Sequence, residues 1–399
     1  MKSSFSVDVE IVPFAPWPSF TKEEADAAQK VLLSNRVNYW TGDEGRKFEQ
    51  EFAESCNVKH AITLANGSIA LELALEAFGI GQGDEVITTC YTFIASASAI
   101  VMRRAVPVLA DVDPTSLNIT SETIRPLITD KTKAIIAVHL VGNPCDMDPI
   151  LKLACEHNLK VIEDCAQAHG ATYKGRPVGS LGDAAAFSFC QDKIMTTGGE
   201  GGMLTTNDEE VWEKAWAYKD HGKSYDAVYS REHPPGFRWL HESFGTNWRM
   251  TEMQAAIGRI QLRRLPEWRS IRQRNASILT ERFKNIPGLR VIEPADDVEH
   301  AYYKYYTFIR PEMLKDGWNR DRVMNEIAAE GVPCFSGICP EIYREKAFVD
   351  AGLVPSERLP NARKCGEESL LFLVHPTLDE NAIMQTAEAV EKVMAEAVR

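Results

Sequence analysis

No stretch of this chain stays apolar for the ~20 residues that a membrane-spanning helix needs, and runs such as Ala134 to Leu140 are far too short. The N-terminal segment carries Asp8 and Glu10 and has no uninterrupted apolar core ending in a small-residue cleavage site. No secretory signal is read there, and a cytosolic (cytoplasmic) address is expected. Positive charge is not in excess: 44 Lys and Arg against 57 Asp and Glu leave a net charge of −13. That balance argues against nonspecific binding to nucleic acid or to an anionic membrane, and leaves room for a local basic pocket only. CxxC pairs are missing as well. The nine cysteines, scattered from Cys56 to Cys365, suit reduced thiols better than a disulfide framework or a zinc site. Cys334 and Cys339 read as small hydrophobes. No GxGxxG joins an early strand to a helix, which removes the nicotinamide-dinucleotide fingerprint.

What is present is a globular composition, 44% hydrophobic and 25% charged over 399 residues, enough for about two or three domains. The first two-thirds alternates helical patterns with short apolar runs: Ala61 to Leu64, Glu85 to Thr88, Val106 to Ala110, Ala134 to Val138, Lys160 to Glu163, Ala184 to Phe189 and Gly202 to Thr205. Several are apolar on both faces, as strands covered on both sides must be, which predicts an α/β fold with a mainly parallel sheet. Ile69 to Phe78 and Asp148 to His157 read as amphipathic helices. From Thr251 to about Asn285 the pattern is helical and charge-rich, with an interruption expected at Pro266. That places a large domain at 1–265, N-terminal segment included, and a smaller α+β domain at 266–399. The latter has strands expected at Leu289 to Ile292 and Tyr305 to Ile309, and helices at Arg320 to Glu330 and Glu380 to Ala397, the last capped by Thr377 with Glu380. Residues 220 to 245 read as a long loop, which in a compact domain is usually functional.

Four segments carry residue types suited to chemistry. In Leu64-Ala65-Asn66-Gly67-Ser68-Ile69 a strand ends in a small polar turn and a helix begins, which is either an ordinary helix cap or a cup for a phosphate on free backbone N–H groups. In Val161-Ile162-Glu163-Asp164-Cys165-Ala166-Gln167 an apolar strand delivers carboxylates to its C-terminal end, where open α/β sheets bind ligands. Asp164 is there either a solvated or capping acid or a carboxylate able to hold a proton on a heterocyclic nitrogen. His169 reads as a turn or core histidine rather than a base. The third segment runs from Ala186 through Ser188 and Lys193 into Gly198-Gly199-Glu200-Gly201-Gly202. Lys193 is either a surface lysine or one desolvated enough for Schiff-base chemistry, and Ser188 either a buried serine or a phosphate donor. The fourth, Phe244-Gly245-Thr246-Asn247-Trp248-Arg249-Met250-Thr251, opens a helix with a capping box of Thr251 and Gln254.

Taken in order, these segments resemble the DegT-like sugar aminotransferases, a pyridoxal-phosphate-dependent family of fold type I. The resemblance extends through Asp84-Glu85-Val86-Ile87, Tyr91-Thr92-Phe93-Ile94-Ala95, Ala110-Asp111-Val112-Asp113, Val138-His139-Leu140-Val141-Gly142 and Phe372-Leu373-Val374-His375-Pro376, nearly the whole chain. It implies pyridoxal 5'-phosphate carried on Lys193, its pyridinium nitrogen paired with Asp164, its ring contacted by Gln167 and stacked by Phe93. Gly67, Ser68 and Ser188 would hold its phosphate, and Asn247 would reach the phosphate in the other subunit of a homodimer. Glutamate is the implied donor and a nucleotide-linked keto-deoxy sugar the acceptor, with C4 favoured over C3 on the run from Lys193 to Gly198. Trp40, Lys223, Arg231, His233 and Arg238 are candidates for contact with the sugar nucleotide. Where many relatives have a His-Tyr pair and a Pro-Leu-His run, this chain has Pro333-Cys334-Phe335-Ser336-Gly337-Ile338-Cys339-Pro340, so a different sugar pocket is expected. A pyridoxamine-phosphate-dependent sugar dehydratase is the nearest alternative, but it would carry histidine in place of Lys193. A noncatalytic regulator or scaffold of the same fold would be expected to lose Lys193 or Asp164.

Overall fold

The computed structural model describes residues 14–399 except 233, 234 and 237; His233 therefore lies outside the described residues. Seven strands form the large sheet in the spatial order His60–Leu64, Gly202–Thr206, Ala184–Ser188, Lys160–Asp164, Thr132–Val138, Glu85–Thr89, Val106–Ala110. The last five of these run parallel, and Gly202–Thr206 pairs antiparallel with both of its neighbours. The expected mainly parallel sheet is thus present, with each predicted strand in place to within two residues. Its near-continuous apolar strands are explained by two separate hydrophobic layers. One face packs Ile87, Ile135, Val161 and Phe187 against Phe48, Phe52 and Leu153. The other packs Ile62, Val86, Ile136 and Ile162 against Leu71, Leu75 and Trp216. Consecutive residues of one strand enter opposite layers, so both faces are predominantly apolar.

Helix Glu252–Phe283 opens on the expected capping box, in which Thr251 Oγ1 accepts from Gln254 N. It runs unbroken for 32 residues through Pro266, so the expected interruption does not occur. An interior proline costs about 3 kcal/mol, but Leu262, Leu265 and Trp268 on either side of it are buried in the first layer, and that packing holds the helix together. Beyond it, four antiparallel strands in the order Leu289–Val291, Tyr305–Ile309, Ser369–Phe372, Cys334–Phe335 make a second sheet, backed by helix Glu380–Ala397. The cap of that last helix also differs from expectation. Asp379 accepts from Ala382 N, while Thr377 Oγ1 bonds His375 and the carbonyl of Pro16. A carboxylate directly before the helix outcompetes a hydroxyl two residues further out. All nine cysteines are unpaired, with Cys334 buried and Cys339 half-buried.

Residues 220–245 are not simple loop. They contain a short helix, Tyr225–Tyr229, and are pinned by backbone bridges Asp220 to Asn247 and Lys223 to His241.

Candidate active site

The C-terminal ends of four neighbouring parallel strands open into one cleft of about 980 Å³. After Glu85–Thr89 come Thr92, Phe93 and Ser96; after Thr132–Val138, Val141; after Lys160–Asp164, Ala166 and Gln167; after Ala184–Ser188, Cys190, Asp192 and Lys193. Helix Gly67–Ala77 adds its N-terminus, and Tyr303, Lys304, Tyr306, Phe335, Gly337 and Ile338 close the cleft from the second sheet. Seven of the sequence candidates are thereby brought together: Gly67, Ser68, Phe93, Asp164, Gln167, Ser188 and Lys193.

Each is placed by a local cause. Asn66 caps its helix by accepting from Ile69 N, and Gly67 and Ser68, the first two helical residues, turn to the cleft with N–H groups that no helical carbonyl can reach. A Cβ on Gly67 would stand 2.5 Å from Ser188 Cβ, so glycine is what lets the helix end approach the strand bearing Ser188. Asp164 closes its strand, 5% exposed. Its Oδ2 accepts from Ser96 Oγ at 2.7 Å and its Oδ1 from Ala166 N at 3.1 Å, and Thr92 Oγ1 lies 3.0 Å behind Ser96. Among the described residues, Asp164 meets neutral donors only. Its neighbour Glu163 is the opposite case, fully buried on the other face and saturated by Gly179 N, Leu181 N, Gly182 N and His139 Nε2. Alternation along one strand thus separates a structural carboxylate from one that is available. Gln167 is fixed by its Oε1 accepting from Val141 N at 2.8 Å. Val141 itself has φ of +55°, strained for a β-branched residue and found here at the cleft wall. Phe93 stands at the mouth, 59% exposed, with room for a flat partner on its ring.

Lys193 is half-buried, with Nζ 5.0 Å from the centroid of the Tyr303 ring. Its carbonyl accepts from Trp17 Nε1 at 2.8 Å, and Trp17 in turn packs on Trp268, His375 and the guanidinium of Arg272. The N-terminal segment and the long helix therefore clamp the lysine turn. His169 is a buried core histidine between Phe187 and Phe189, pushed down to about 3 by burial and then by the Lys193 charge, so it stays neutral.

The remaining described candidates are not among the residues that line this cleft. Asn247 is exposed, bridged to Asp220 outside it. Trp40, half-buried, lies under Lys223, whose Nζ is 4.5 Å from the indole centroid. The expected cationic patch is corrected by ion pairing. Lys223 is buried against Asp220 at 2.8 Å, the same carboxylate taken by Arg249 at 2.5 Å, and Arg231 is held by Asp226 and Glu242, both at 2.6 Å. In a chain with surplus carboxylates the loop neutralises its own cations, and Arg238 remains as an exposed one. Trp17, Ser96, Arg272, Tyr303 and Lys304 were not among the candidates. Lys304 alone leaves a trace in the sequence, a single charge inside the aromatic run Tyr302-Tyr303-Lys304-Tyr305-Tyr306.

Residues 18–391 match the DegT/DnrJ/EryC1/StrS aminotransferase family. The chain belongs to that family. It is 40% identical to the GDP-perosamine synthase of Caulobacter vibrioides over 89% of this chain and 92% of that one. It is 35% identical to the dTDP-3-amino-3,6-dideoxy-alpha-D-galactopyranose transaminase of Aneurinibacillus thermoaerophilus, covering 94% and 96%. Among solved structures, an aminotransferase from Psychrobacter cryohalolentis superposes with a TM-score of 0.94 at 59% identity, over 96% of this chain and 99% of that one. The fold is that of the fold type I aminotransferases, the enzyme is an aminotransferase, and its cofactor is pyridoxal phosphate. The cleft fits that group by the chemistry of its donors. A buried carboxylate with neutral partners suits a cationic ring nitrogen, a capped helix end with Gly67 against Ser188 suits a phosphate, and Lys193 lines the same cleft.

Proposed function

We propose that this chain transfers an amino group from glutamate to C4 of a nucleotide-linked 4-keto-6-deoxy sugar, as a cytosolic homodimer. The observation carrying this reading is the group of apolar side chains, Phe335, Ile338, Leu371 and Leu373, that line the cleft from the second sheet and the turns beside it. It suits the methyl face of a deoxy sugar better than a fully hydroxylated one. The relatives support the nucleotide-linked class, since the names of both include GDP or dTDP. The run from Lys193 to Gly198 supports C4. Among the described residues no helix is long and apolar enough to cross a membrane.

Bound pyridoxal phosphate supplies the electron sink for removing the donor's α-proton. The chain's residues do the rest. Lys193 Nζ would hold the cofactor and could serve as the base that takes the donor's α-proton. Asp164 keeps the proton on the ring nitrogen, its own position held by Ser96 and Ala166 N. Phe93 and Gln167 would contact the ring, Gly67, Ser68 and Ser188 would hold the phosphate, and Asn247 of a second subunit would complete that phosphate site.

Incubation with ¹⁵N-glutamate and GDP-, UDP- or dTDP-linked 4-keto-6-deoxy sugars is expected to place the label on C4 by NMR. Label on C3 would refute the position, and turnover of simple keto acids alone would refute the substrate class. Sedimentation at assay concentration should give a two-fold dimer. A fully active monomer would remove the role of Asn247.

A further inference from the structure

One charged residue in the cleft has no part in the mechanism above. Lys304, at the start of the second sheet, lines the cleft beside Tyr303 and Tyr306. The Tyr303 ring carries an ammonium on each of two approaches, Lys193 Nζ at 5.0 Å and Lys304 Nζ at 4.9 Å from its centroid. Behind them stands Arg272, 1% exposed, which donates Nη1 to the carbonyls of Tyr302 and Tyr303, both at 3.2 Å, and lies over the Trp17 ring at 5.1 Å. Among the described residues no carboxylate pairs with that guanidinium, and its Nε has no hydrogen-bond partner. Asp192 is the acid that faces this group, and its Oδ2 is already engaged by the Tyr303 hydroxyl. His375, packed on Trp17, is pushed down to about 3 by burial and by the Arg272 and Lys304 charges, so it brings no counter-charge. Lys193, Lys304 and Arg272 therefore gather around Tyr303, where Asp192 is the acid that faces them, while Asp164 and Glu200 are the other carboxylates lining the cleft.

Such an arrangement is costly until an anion enters. Burial pushes Lys304 down to about 8; Asp192 opposes that shift, and Arg272 and Lys193 add to it. An incoming negative group would favour its charged form.

We propose that Lys304, backed by Arg272, binds a carboxylate of the amino-acid donor, making it the donor-recognition residue of the cleft. The identity of the anion follows from placement. Lys304 and Lys193 flank the same Tyr303 ring, so a group held by Lys304 would be within one ring's reach of the lysine proposed to carry the cofactor. The donor's α-carboxylate is attached to that carbon, whereas the diphosphate of a sugar nucleotide is separated from C4 by the pyranose ring. The inference rests on the aminotransferase reading of this cleft and adds to it the residue that selects the donor.

The test uses the cofactor-loaded enzyme and the variants Lys304→Met and Lys304→Arg, with three measurements. First, KM for glutamate should rise about 10- to 100-fold in Lys304→Met, the size expected for losing a charged hydrogen bond, and recover largely in Lys304→Arg. Second, inhibition by glutarate, a dicarboxylate with no amine to react, should weaken in parallel, while KM for the sugar nucleotide stays within about twofold. Third, in the wild type KM for glutamate should be flat below pH 8 and climb above it as Lys304 loses its proton, and Lys304→Arg should flatten that rise. An unchanged glutamate KM and glutarate affinity in Lys304→Met overturns the proposal, as does a rise confined to the sugar nucleotide, which would assign Lys304 to the diphosphate. If the wild type shows no spectral response to any amino donor, the aminotransferase reading itself fails, a result distinct from a responsive wild type with an indifferent variant.

Discussion

Lys193→Ala is expected to lower turnover by at least about a thousandfold while leaving the fold intact, because the residue carries two duties that no neighbour can assume. On the proposed reading it would anchor the cofactor and move the proton at the reacting carbon, a contribution worth about 10²- to 10⁴-fold on its own. The turn that bears it does not depend on the side chain. The backbone is held by Trp17 Nε1 on the Lys193 carbonyl and by Lys193 N on the carbonyl of Cys190, both of which alanine retains. Lys304 cannot substitute, since it approaches the Tyr303 ring from the second sheet rather than from the strand ends that bear Asp164 and Ser188. Steady-state rates alongside far-UV circular dichroism check this. A variant retaining more than a tenth of wild-type turnover would remove Lys193 from its role.

Asp164→Asn should keep its shape and lose about 10²- to 10³-fold in kcat, the range for removing one preorganised electrostatic partner. The amide still accepts from Ala166 N, and Ser96, which shares a hydrogen bond with Thr92 in which either can donate, can turn to accept from the new NH₂. What the amide cannot do is hold a proton on a cationic ring nitrogen. Glu163→Gln supplies the contrast at the adjacent position. Its carboxylate takes three backbone N–H groups and His139, so an NH₂ facing any of them leaves a buried donor unmatched, at about 1–3 kcal/mol of stability. Thermal denaturation should fall in Glu163→Gln with kcat nearly unchanged, and kcat should fall in Asp164→Asn with little change in melting temperature. The reverse pairing would mean that the wrong carboxylate has been placed in the site.

The sheet was readable because its strands are buried on both faces, and seven short apolar runs bounded by polar turns leave little else for them to be. The cleft was readable where its residues come in local clusters, as in Asn66-Gly67-Ser68 or Asp164 with Gln167, because each cluster sits at the end of one strand. Residues whose role depends on distant chain were not. Trp17 meets Lys193 across 176 positions, and Arg272 braces the backbone of the cleft residue Tyr303 from the middle of a helix in which it looks like any surface arginine. The same limitation misplaced Pro266, where packing of Leu265 and Trp268 overrides a local helix breaker, and the loop cations Lys223 and Arg231, whose acidic partners lie three to eleven positions away. Charge counted along a sequence says how many cations a segment has. Which of them remain available depends on the carboxylates that folding brings beside them.

The most direct test of the account is borohydride reduction of the cofactor-loaded protein followed by proteolysis and mass mapping. The cleft holds two lysines, so the outcome discriminates. The account predicts a single cofactor-bearing peptide, modified at Lys193, with Lys304 unlabelled. Label on Lys304, or on any lysine outside the cleft, would contradict it.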